Sequence, residues 1–562
     1  DRVNHSEQAG YFSGSCGISY YGGGAFGKEY EQTVWVADVV LNLIHVDKLS
    51  QDGSSMKAHR LLPKRDFLAS SDRSFRPVNM SVAPDGSMWV ADMYRKVIEH
   101  PEWIPDEIEK TLDLNAGKNQ GRIYRISNPG AHHPFDYSQF KSTSTTIQAL
   151  KSPNQWVRLT ALRLLRGGDL SNVELQALGN HLKSDQLNAL LPAAWLLFER
   201  DRLTSDQLSR LLHHPNSGIR ENAIKLAELG LLKERYPVDL VLEALLDKDP
   251  RVRMQAALSS SLIPSNIRTK QKNRILDYLT KYALLPQNAW TIAALNIGAN
   301  DLSMDLFARL VKDKYVNSGV LLSLSSNIKQ NPSSLLAILS KSSLSGDLKA
   351  KIIERLGIAN LAIKSDRMID ALTELEKSDN LTLISEVNKI KTHLNLPVSD
   401  KWNKILLQSP ELVLNRKLSE SKRLGYLKIL ETVDYSIKSK TLFHCLSNVE
   451  PLQIQQQAIE QLSKLKNKEI GWEILKLWPE LSPQTRKLAG DLLLNVESNH
   501  DALLSGLEKK IINIGEMNFD LERRRTLLWW TSNADTRKRA AKLFSDAGVQ
   551  TRKEAIESMK PE

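Results

Sequence analysis

Cysteine is nearly missing from this chain: Cys16 and Cys445 are the only 2 in 562 residues. They lie far apart in segments of different character, so no disulfide between them is expected and no zinc-ligand spacing exists. A large repeat protein needs no such staples, so the scarcity does not exclude an extracytoplasmic home. Long apolar runs are missing too. The nearest, LLPAAWLLF from Leu190, falls well short of the roughly 18 residues that span a bilayer and contains Pro192. No Gly-x-Ser-x-Gly, phosphate-binding loop or HExxH motif occurs, and GGGAFGKEY reads as a turn between strands. An initiating methionine and a signal peptide are also absent. The opening DRVNHSEQ is that of an internal piece, and a fragment of a longer protein is expected.

What is present is ordinary globular material, 41% apolar and 25% charged, which argues against disorder. The length calls for two or more domains or a repeat array. The formal charge of +11 arises from 76 basic and 65 acidic residues. Its basic clusters, Arg523-Arg524-Arg525 and Arg537-Lys538-Arg539, fall in helical stretches and read as solvated helix faces. Without aromatic-interleaved basic motifs, no nucleic-acid partner is expected.

The two ends of the chain differ. Between Gly14 and Arg65, the runs SCGISYY, TVWVAD, LNLIHVD and MKAHRLL are rich in β-branched and aromatic residues and are separated by Gly22-Gly23-Gly24 and Asp52-Gly53. Four short strands in about fifty residues make one propeller blade. A second begins with VNMSVA and SMWVAD around Pro84-Asp85-Gly86, where Asp-Gly supplies the positive φ angles of a tight hairpin turn. A helical insertion over about 93–120, with a helix from Pro105, precedes the third strand GRIYRI, and no fourth is evident. Isolated blades leave open edges, so these residues are not expected to fold alone.

From about residue 145 the pattern is helical and repeated. LKSPNQWVRLTALRLL and LHHPNSGIRENAIKLA align in register, pairing Pro153 with Pro215, Asn154 with Asn216 and Arg158 with Arg220; DKDPRVRMQAALS is a third copy with Val252 and Arg253. LLPAAWLLFER lies between the first two. Val157, Leu190, Ile219 and Val252 are taken as equivalent, and apolar residues follow each at one-face helical spacing. Pro-Asn stops one helix and starts the next. Such helix pairs must stack to bury their faces. The ankyrin and tetratricopeptide signatures are absent, and HEAT-like repeats match best. The fold class is therefore multidomain β + α: the C-terminal blades of a β-propeller over 1–130, a linker over 131–144, a HEAT-like α-solenoid over 145–548, and a linker over 549–562.

FRPVNMSVAPDGSMWVADMYRKVIEHPEWIP, with LDLNAGKNQGRIYRI, resembles the large membrane-bound dehydrogenases of planctomycetes, verrucomicrobia and relatives. YFSGSCGISYYGG, NLIHVDKL, WVRLTALRLL, HPNSGIRENAIKLAE and DPRVRMQAALS fit the same family, covering roughly residues 1 to 260. The resemblance implies a glucose/sorbosone-dehydrogenase-like propeller, HEAT repeats and usually a c-type cytochrome domain. It also implies an extracytoplasmic, periplasmic or cell-envelope location. This chain has no CxxCH, so it cannot attach haem c covalently, and most of the propeller is missing.

Among candidate site residues, Arg76 precedes an apolar strand, where its guanidinium either binds an anionic cofactor or substrate at the propeller mouth or pairs structurally with a neighbouring blade. Asp92 and Tyr94 end SMWVADMY as binding groups, or Asp92 caps a turn. His100 and Glu99 either face a cleft or belong to a loop anchored by Trp103, and His45 carries no stronger signal. The pairs His132-His133 and His213-His214 lack metal-ligand spacing. Two functions compete. The chain is a fragment, inactive alone, of a sugar or alcohol dehydrogenase whose propeller holds a quinone such as PQQ and passes electrons to a cytochrome c domain or other acceptor. Alternatively it is a non-catalytic scaffold whose solenoid face grips a protein or polysaccharide.

Overall fold

The computed structural model describes residues 12, 14–98, 109–128, 135–184, 186–233, 235–328, 331–357, 361, 365–519 and 521–544. They divide into two compact units. Unit 1 is Asp1–Leu310 with Tyr315–Ser323, and unit 2 is Val311–Lys314 with Leu324–Glu562. The protein is mostly a stack of helices, with small antiparallel sheets at the N-terminal end of unit 1.

Sheet A is a meander of β1 (Ser15–Tyr21), β2 (Thr33–Asp38), β3 (Leu43–Asp52) and β4 (Ser55–Arg60), with the short β5 (Leu68–Ala69) paired to β3. Sheet B is a meander of β6 (Pro77–Val82), β7 (Met88–Asp92) and β8 (Arg122–Ile126). The expected strands form where β-branched and aromatic residues alternate, and β2 buries Thr33, Trp35 and Ala37 while Val34 and Val36 stay half-buried. The two sheets share one core built on the fully buried Trp35, which joins Tyr21, Ile44 and Val46 to Met80, Val82, Met88 and Val90. Gly17 lies at a register shift in β1 with φ +55°, and a Cβ there would come within 2.5 Å of the Val78 carbonyl. Only glycine lets the sheets approach that closely. In the β6–β7 hairpin only Gly86 has positive φ, +80°, so the turn is not the double left-handed form that Asp-Gly suggested. Instead Asp85 accepts the Ser87 N–H at 3.0 Å. The expected helix from Pro105 begins outside the described residues, and 110–119 form turns and bends.

In unit 1 the helices are α1 (Thr143–Ala149), α2 (Gln155–Gly167), α3 (Asn172–His181), α4 (Leu187–Glu199), α5 (Ser205–Leu212), α6 (Ser217–Leu231), α7 (Asp239–Ala244), α8 (Pro250–Ser260), α9 (Ser265–Lys270), α10 (Lys272–Leu284), α11 (Ala289–Ala299) and α12 (Ser303–Leu310). α2, α4, α6, α8 and α11 pack side by side, backed by a second layer that includes α1, α3, α5, α7, α10 and α12. The four aligned positions Val157, Leu190, Ile219 and Val252 are all buried in the first layer. The matched turns are built alike. Asn154, Asn216 and Asp249 cap their helices with a side-chain oxygen. Two residues earlier, Ser152, His214 and Asp247 accept the capping residue's own N–H at 3.2, 3.0 and 2.8 Å. Four residues after the cap, Arg158, Arg220 and Arg253 fold back to donate to two carbonyls of the turn each, at 2.7–3.0 Å. A turn so closed leaves few polar groups for water to compete over. Arg220 also forks onto Asp247 of the following turn, at 2.7 and 2.8 Å, tying one repeat to the next.

Unit 2 continues the helical pattern with α13 (Pro332–Lys341), α14 (Gly346–Leu356), α15 (Asp366–Glu376), α16 (Leu381–His393), α17 (Asp400–Leu414), α18 (Glu420–Ile429), α19 (Tyr435–His444), α20 (Leu452–Ser463), α21 (Glu469–Leu477), α22 (Pro483–Asn495) and α23 (His500–Glu508). α14, α16, α18, α20 and α22 pack in sequence. Their shared edge carries alternating charges: Lys428 reaches Glu386 at 3.4 Å, Lys389 lies between Glu386 and Glu431 at 3.0 and 3.1 Å, and Lys464 reaches Glu460 at 2.9 Å. Near the end the turn design recurs, with Thr531 accepting the Asn533 N–H at 3.3 Å and Arg537 donating to the Thr531 carbonyl at 2.7 Å. Each basic cluster supplies a surface ion pair. Arg523 pairs with Asp491 at 2.7 Å, and Arg539 with Glu508 at 2.8 Å.

Replacing the buried Arg220 by methionine leaves the half-buried Asp247 without its ion-pair partner and is expected to lower the urea stability of unit 1 by about 3 kcal/mol. Lys377→Ala, which breaks the exposed pair with Glu374, is expected to cost no more than about 0.5 kcal/mol. A second test concerns acid. Glu497 accepts the Ser532 side-chain O–H and N–H and the Thr531 O–H at 2.7, 2.7 and 2.8 Å, and these bonds hold its carboxyl down to about 2. A depressed carboxylate stabilises above its unfolded pKa and loses that contribution as pH falls through the folded one. Hydrogen exchange of residues 531–544 should therefore accelerate as pH falls from about 4.5 towards 2, beyond the intrinsic trend, and Glu497→Gln should abolish that extra dependence.

Candidate functional site

Three of the four candidate residues meet at one end of sheet B, and the fourth, His100, lies outside the described residues. Arg76 directly precedes β6, Asp92 ends β7, and Tyr94 follows it in a left-handed conformation with φ +49°. One Asp92 oxygen accepts the Arg76 N–H at 2.7 Å and the Tyr94 N–H at 2.8 Å. The other is buried and has no partner among the described residues. The Arg76 side chain is buried, and its three nitrogens donate to the carbonyls of Arg95, Val39 and Lys96 at 2.8, 2.6 and 2.9 Å. Val39 belongs to the turn after β2, so this guanidinium fastens sheet B to sheet A. Burial pushes its pKa down, against the pull of Asp72 and Asp92. A group held on three carbonyls has little left for a ligand, so the geometry favours the structural reading of Arg76 over anion binding.

Asp92 has a counterpart that sequence inspection passed over. Trp35-Val36-Ala37-Asp38 in β2 repeats as Trp89-Val90-Ala91-Asp92 in β7. Asp38 accepts the N–H of Val40 at 2.9 Å and that of Gly14, the residue before β1, at 3.1 Å. Asp92 does the same with Tyr94 and with Arg76, the residue before β6. Each aspartate therefore closes its own sheet, and the repeated tetrapeptide was the signal available for finding this.

Tyr94 belongs to a separate, outward cluster. The Arg122 guanidinium lies 3.8 Å from its ring centroid, and hydrogen bonding to Asp72, with burial next, raises its hydroxyl pKa. His45 is buried with Nδ1 2.8 Å from Asp66 and Nε2 2.8 Å from Asp47, so it ties β3 to the loop before β5. His213 and His214 contact local backbone, and among the described residues no His, Cys, Asp and Glu group has the makings of a metal site. For PQQ or any other quinone, the Arg76 guanidinium is already committed to the carbonyls of Arg95, Val39 and Lys96 and is poorly placed to clamp an anionic group.

The other well-built feature is the junction of sheets and helices, where the capped turns act a second time. The Asn154 amide donates to the Pro84 carbonyl at 2.8 Å, and Gln155 N–H to Gly22 at 2.7 Å. Trp156 packs against the sheet core. At the β3–β4 hairpin, Gln51 reaches Asp249 at 3.2 Å and Ser54 bonds Asn288, the cap of α11, at 3.0 Å. The hairpin ends thus rest on the N-terminal ends of α2, α8 and α11.

If Arg76 is structural, Arg76→Ala strands three carbonyls. Its urea stability should fall by about 3 kcal/mol or more, with loss of the near-ultraviolet signal of Trp35. Arg76→Lys should recover little, because an ammonium cannot fork across three acceptors. A stability change within about 0.5 kcal/mol would return Arg76 to the ligand-binding reading.

A family model described as a domain of unknown function (DUF7133) matches residues 1–130. No curated protein matches the chain. Among solved structures it is similar to the karyopherin Kap121p. The complex with Pho4p is 12% identical with a TM-score of 0.46, covering 74% of this chain and 52% of that one. The complex with the SUMO protease Ulp1p is 13% identical with a TM-score of 0.46 over the same shares. Kap121p itself gives 11%, a TM-score of 0.43, and 72% and 51% coverage. The chain spans about half the length of these structures.

Proposed function

We propose that this chain is a scaffold: a HEAT-like helical stack that carries two blades of a β-propeller and contributes binding surface rather than chemistry. The observation that carries the reading is the seating of the sheet hairpins on the capped turns at Asn154, Asp249 and Asn288. Bonds at both ends of the sheet unit hold it rigidly, which is what a mount requires. The part resembling a propeller is supported by how the two sheets meet. Trp35 and Ala37 of β2 are buried in one core with Met88 and Val90 of β7, and in the repeated tetrapeptide Val90 corresponds to Val36, which stays half-buried. Equivalent sheets therefore pack front to back. A heterologous contact of this kind leaves one face open at each end, ready to repeat around a ring. Ile18 and Tyr20 stay 71% and 46% exposed on sheet A, and Trp89 and Ile123 are 44% and 71% exposed on sheet B.

Those open apolar faces also favour a second reading, in which the chain belongs to a larger extracytoplasmic dehydrogenase whose remaining blades hold a quinone and whose electrons go to a c-type cytochrome. In that reading, too, the residues here position modules. Both readings expect the chain itself to be inactive: with added PQQ and calcium, a panel of aldoses and alcohols should reduce a redox dye no faster than the blank. Turnover that saturates with one substrate would overturn the scaffold reading. The mount is tested separately. Asn288→Ala with Gln51→Ala should raise hydrogen exchange in the β3–β4 hairpin by about tenfold, equivalent to ~1.4 kcal/mol of lost docking. Exchange in β6 and β7 should not change.

A further inference from the structure

Where α2 runs past the first strands of the two sheets, unit 1 holds a cavity of about 250 Å³. Ser19 of β1 with Ser81 and Val82 of β6 form one wall, and Trp156, Thr160 and Arg163 of α2 form the other. The α2 residues follow the three- and four-residue spacing of one helix side, while Val157, Ala161 and Leu165 on another side are buried. The size suits a metabolite, just below the roughly 300 Å³ at which pockets for drug-sized ligands begin. The polar groups on its walls are uncommitted. Of the arginines in α2, Arg158 donates to the carbonyls of Ser152 and Pro153, both at 2.7 Å, and Arg166 pairs with Glu199 at 2.7 Å. Arg163 has no such partner among the described residues. Thr160 is equally free. Thr269, Thr280 and Thr373 each donate to the carbonyl four residues earlier in their helices, at 2.7–2.8 Å, and Thr160 makes no such bond. The carboxamide oxygen of Gln155, which also lines the cavity, is buried with no hydrogen-bond partner among the described residues.

Among the described residues that line the cavity, Arg163 alone is charged, so an occupant gains by carrying a negative group. A planar guanidinium with all its donors free forks onto a carboxylate. The hydroxyls of Ser19, Ser81 and Thr160 both donate and accept, which matches the hydroxyls of a ligand, and Gln155 adds an acceptor for one of them. Val82, Trp156 and Leu159 supply apolar surface for a carbon skeleton. We propose that this cavity binds a small polyhydroxy carboxylate, a sugar acid. Arg163 takes the carboxylate, Ser19, Ser81 and Thr160 take hydroxyls, and Trp156 lies against the carbon skeleton. Binding here makes and breaks no bond, and it stands whether or not the chain is a mount.

The test titrates the whole chain with four probes in a calorimeter. D-Glucuronate carries both features, D-glucose keeps the ring without the carboxylate, acetate keeps only the carboxylate, and inorganic phosphate is a plain anion. Glucuronate should bind about tenfold more tightly than any of the other three. Arg163→Ala should weaken glucuronate about tenfold, and Thr160→Val, which keeps the side-chain shape, about fivefold. Arg202→Ala, at an exposed arginine of unit 1 outside the cavity, should change nothing. Arg163 and Thr160 make no side-chain bond among the described residues, so both variants should keep the circular dichroism and urea midpoint of the parent chain. No binding of glucuronate, or glucuronate binding that survives Arg163→Ala, overturns the proposal. Glucose binding as tightly as glucuronate also overturns it, assigning the cavity to neutral sugars, and equal binding of phosphate does so by assigning it to simple anions. None of these outcomes bears on the dye-reduction or hairpin-exchange results, so the two readings fail separately.

Discussion

The structure of unit 1 depends on a closed turn between helices. An aspartate or asparagine caps the new helix, a side chain two residues earlier holds the cap's own N–H, and an arginine one helical turn later returns to the turn's carbonyls. Inter-helix turns are where a helical stack exposes most unpaired backbone, since each helix end leaves several N–H or C=O groups without intrahelical partners. Satisfying them locally lets α2, α4, α6, α8 and α11 lie close side by side. It also makes the turn surface rigid, and that surface is where the sheets rest. Asn154 and Asp249 each cap a helix with one set of contacts and receive or supply a hydrogen bond to a sheet hairpin with another. Helix order and sheet position therefore share the same residues.

The sheet unit follows a second economy of the same kind. Asp38 and Asp92 close their own sheets by accepting the N–H just before the first strand, and Arg76 then spans from the end of sheet B to the turn after β2. A buried guanidinium is tolerable only when its donors are met, and three backbone carbonyls meet them. Arg76 and Asp92, open in the sequence to a binding or a structural role, make bonds that hold the sheets together. Unit 2 differs in character. Its helices are joined along one edge by alternating lysines and glutamates, where burial lowers Lys389 but Glu386 and Glu431 more than restore its charge.

Much of this was legible in the residues. Strands β1, β2, β6, β7 and β8 lie where alternation and turn residues placed them, because a half-exposed strand repeats every two residues and Gly and Asp-Gly mark the reversals. The helical repeats were legible for the complementary reason. Pro153, Asn154 and Arg158 recur as Pro215, Asn216 and Arg220, and each does local work within six residues of its own position. What could not be read was any pairing across long separation. That His45 lies between Asp47 and Asp66, or that Gln51 finds Asp249, depends on how elements stack, which no local pattern encodes. The candidate site suffered most from this, since Arg76 looks the same in sequence whether it faces a ligand or three carbonyls.

Local order was thus settled by the amino acids one segment at a time: helix starts at Asn and Asp, strand reversals at glycine, and the change from sheet to helical stack near residue 140. Propensity, capping and periodicity act within a few residues, so they survive without knowledge of the fold. Packing alone settled which caps would carry the sheets and that equivalent sheets meet front to back. Those outcomes depend on shape and buried area summed over elements far apart in the chain, and such sums exist only once the chain has folded.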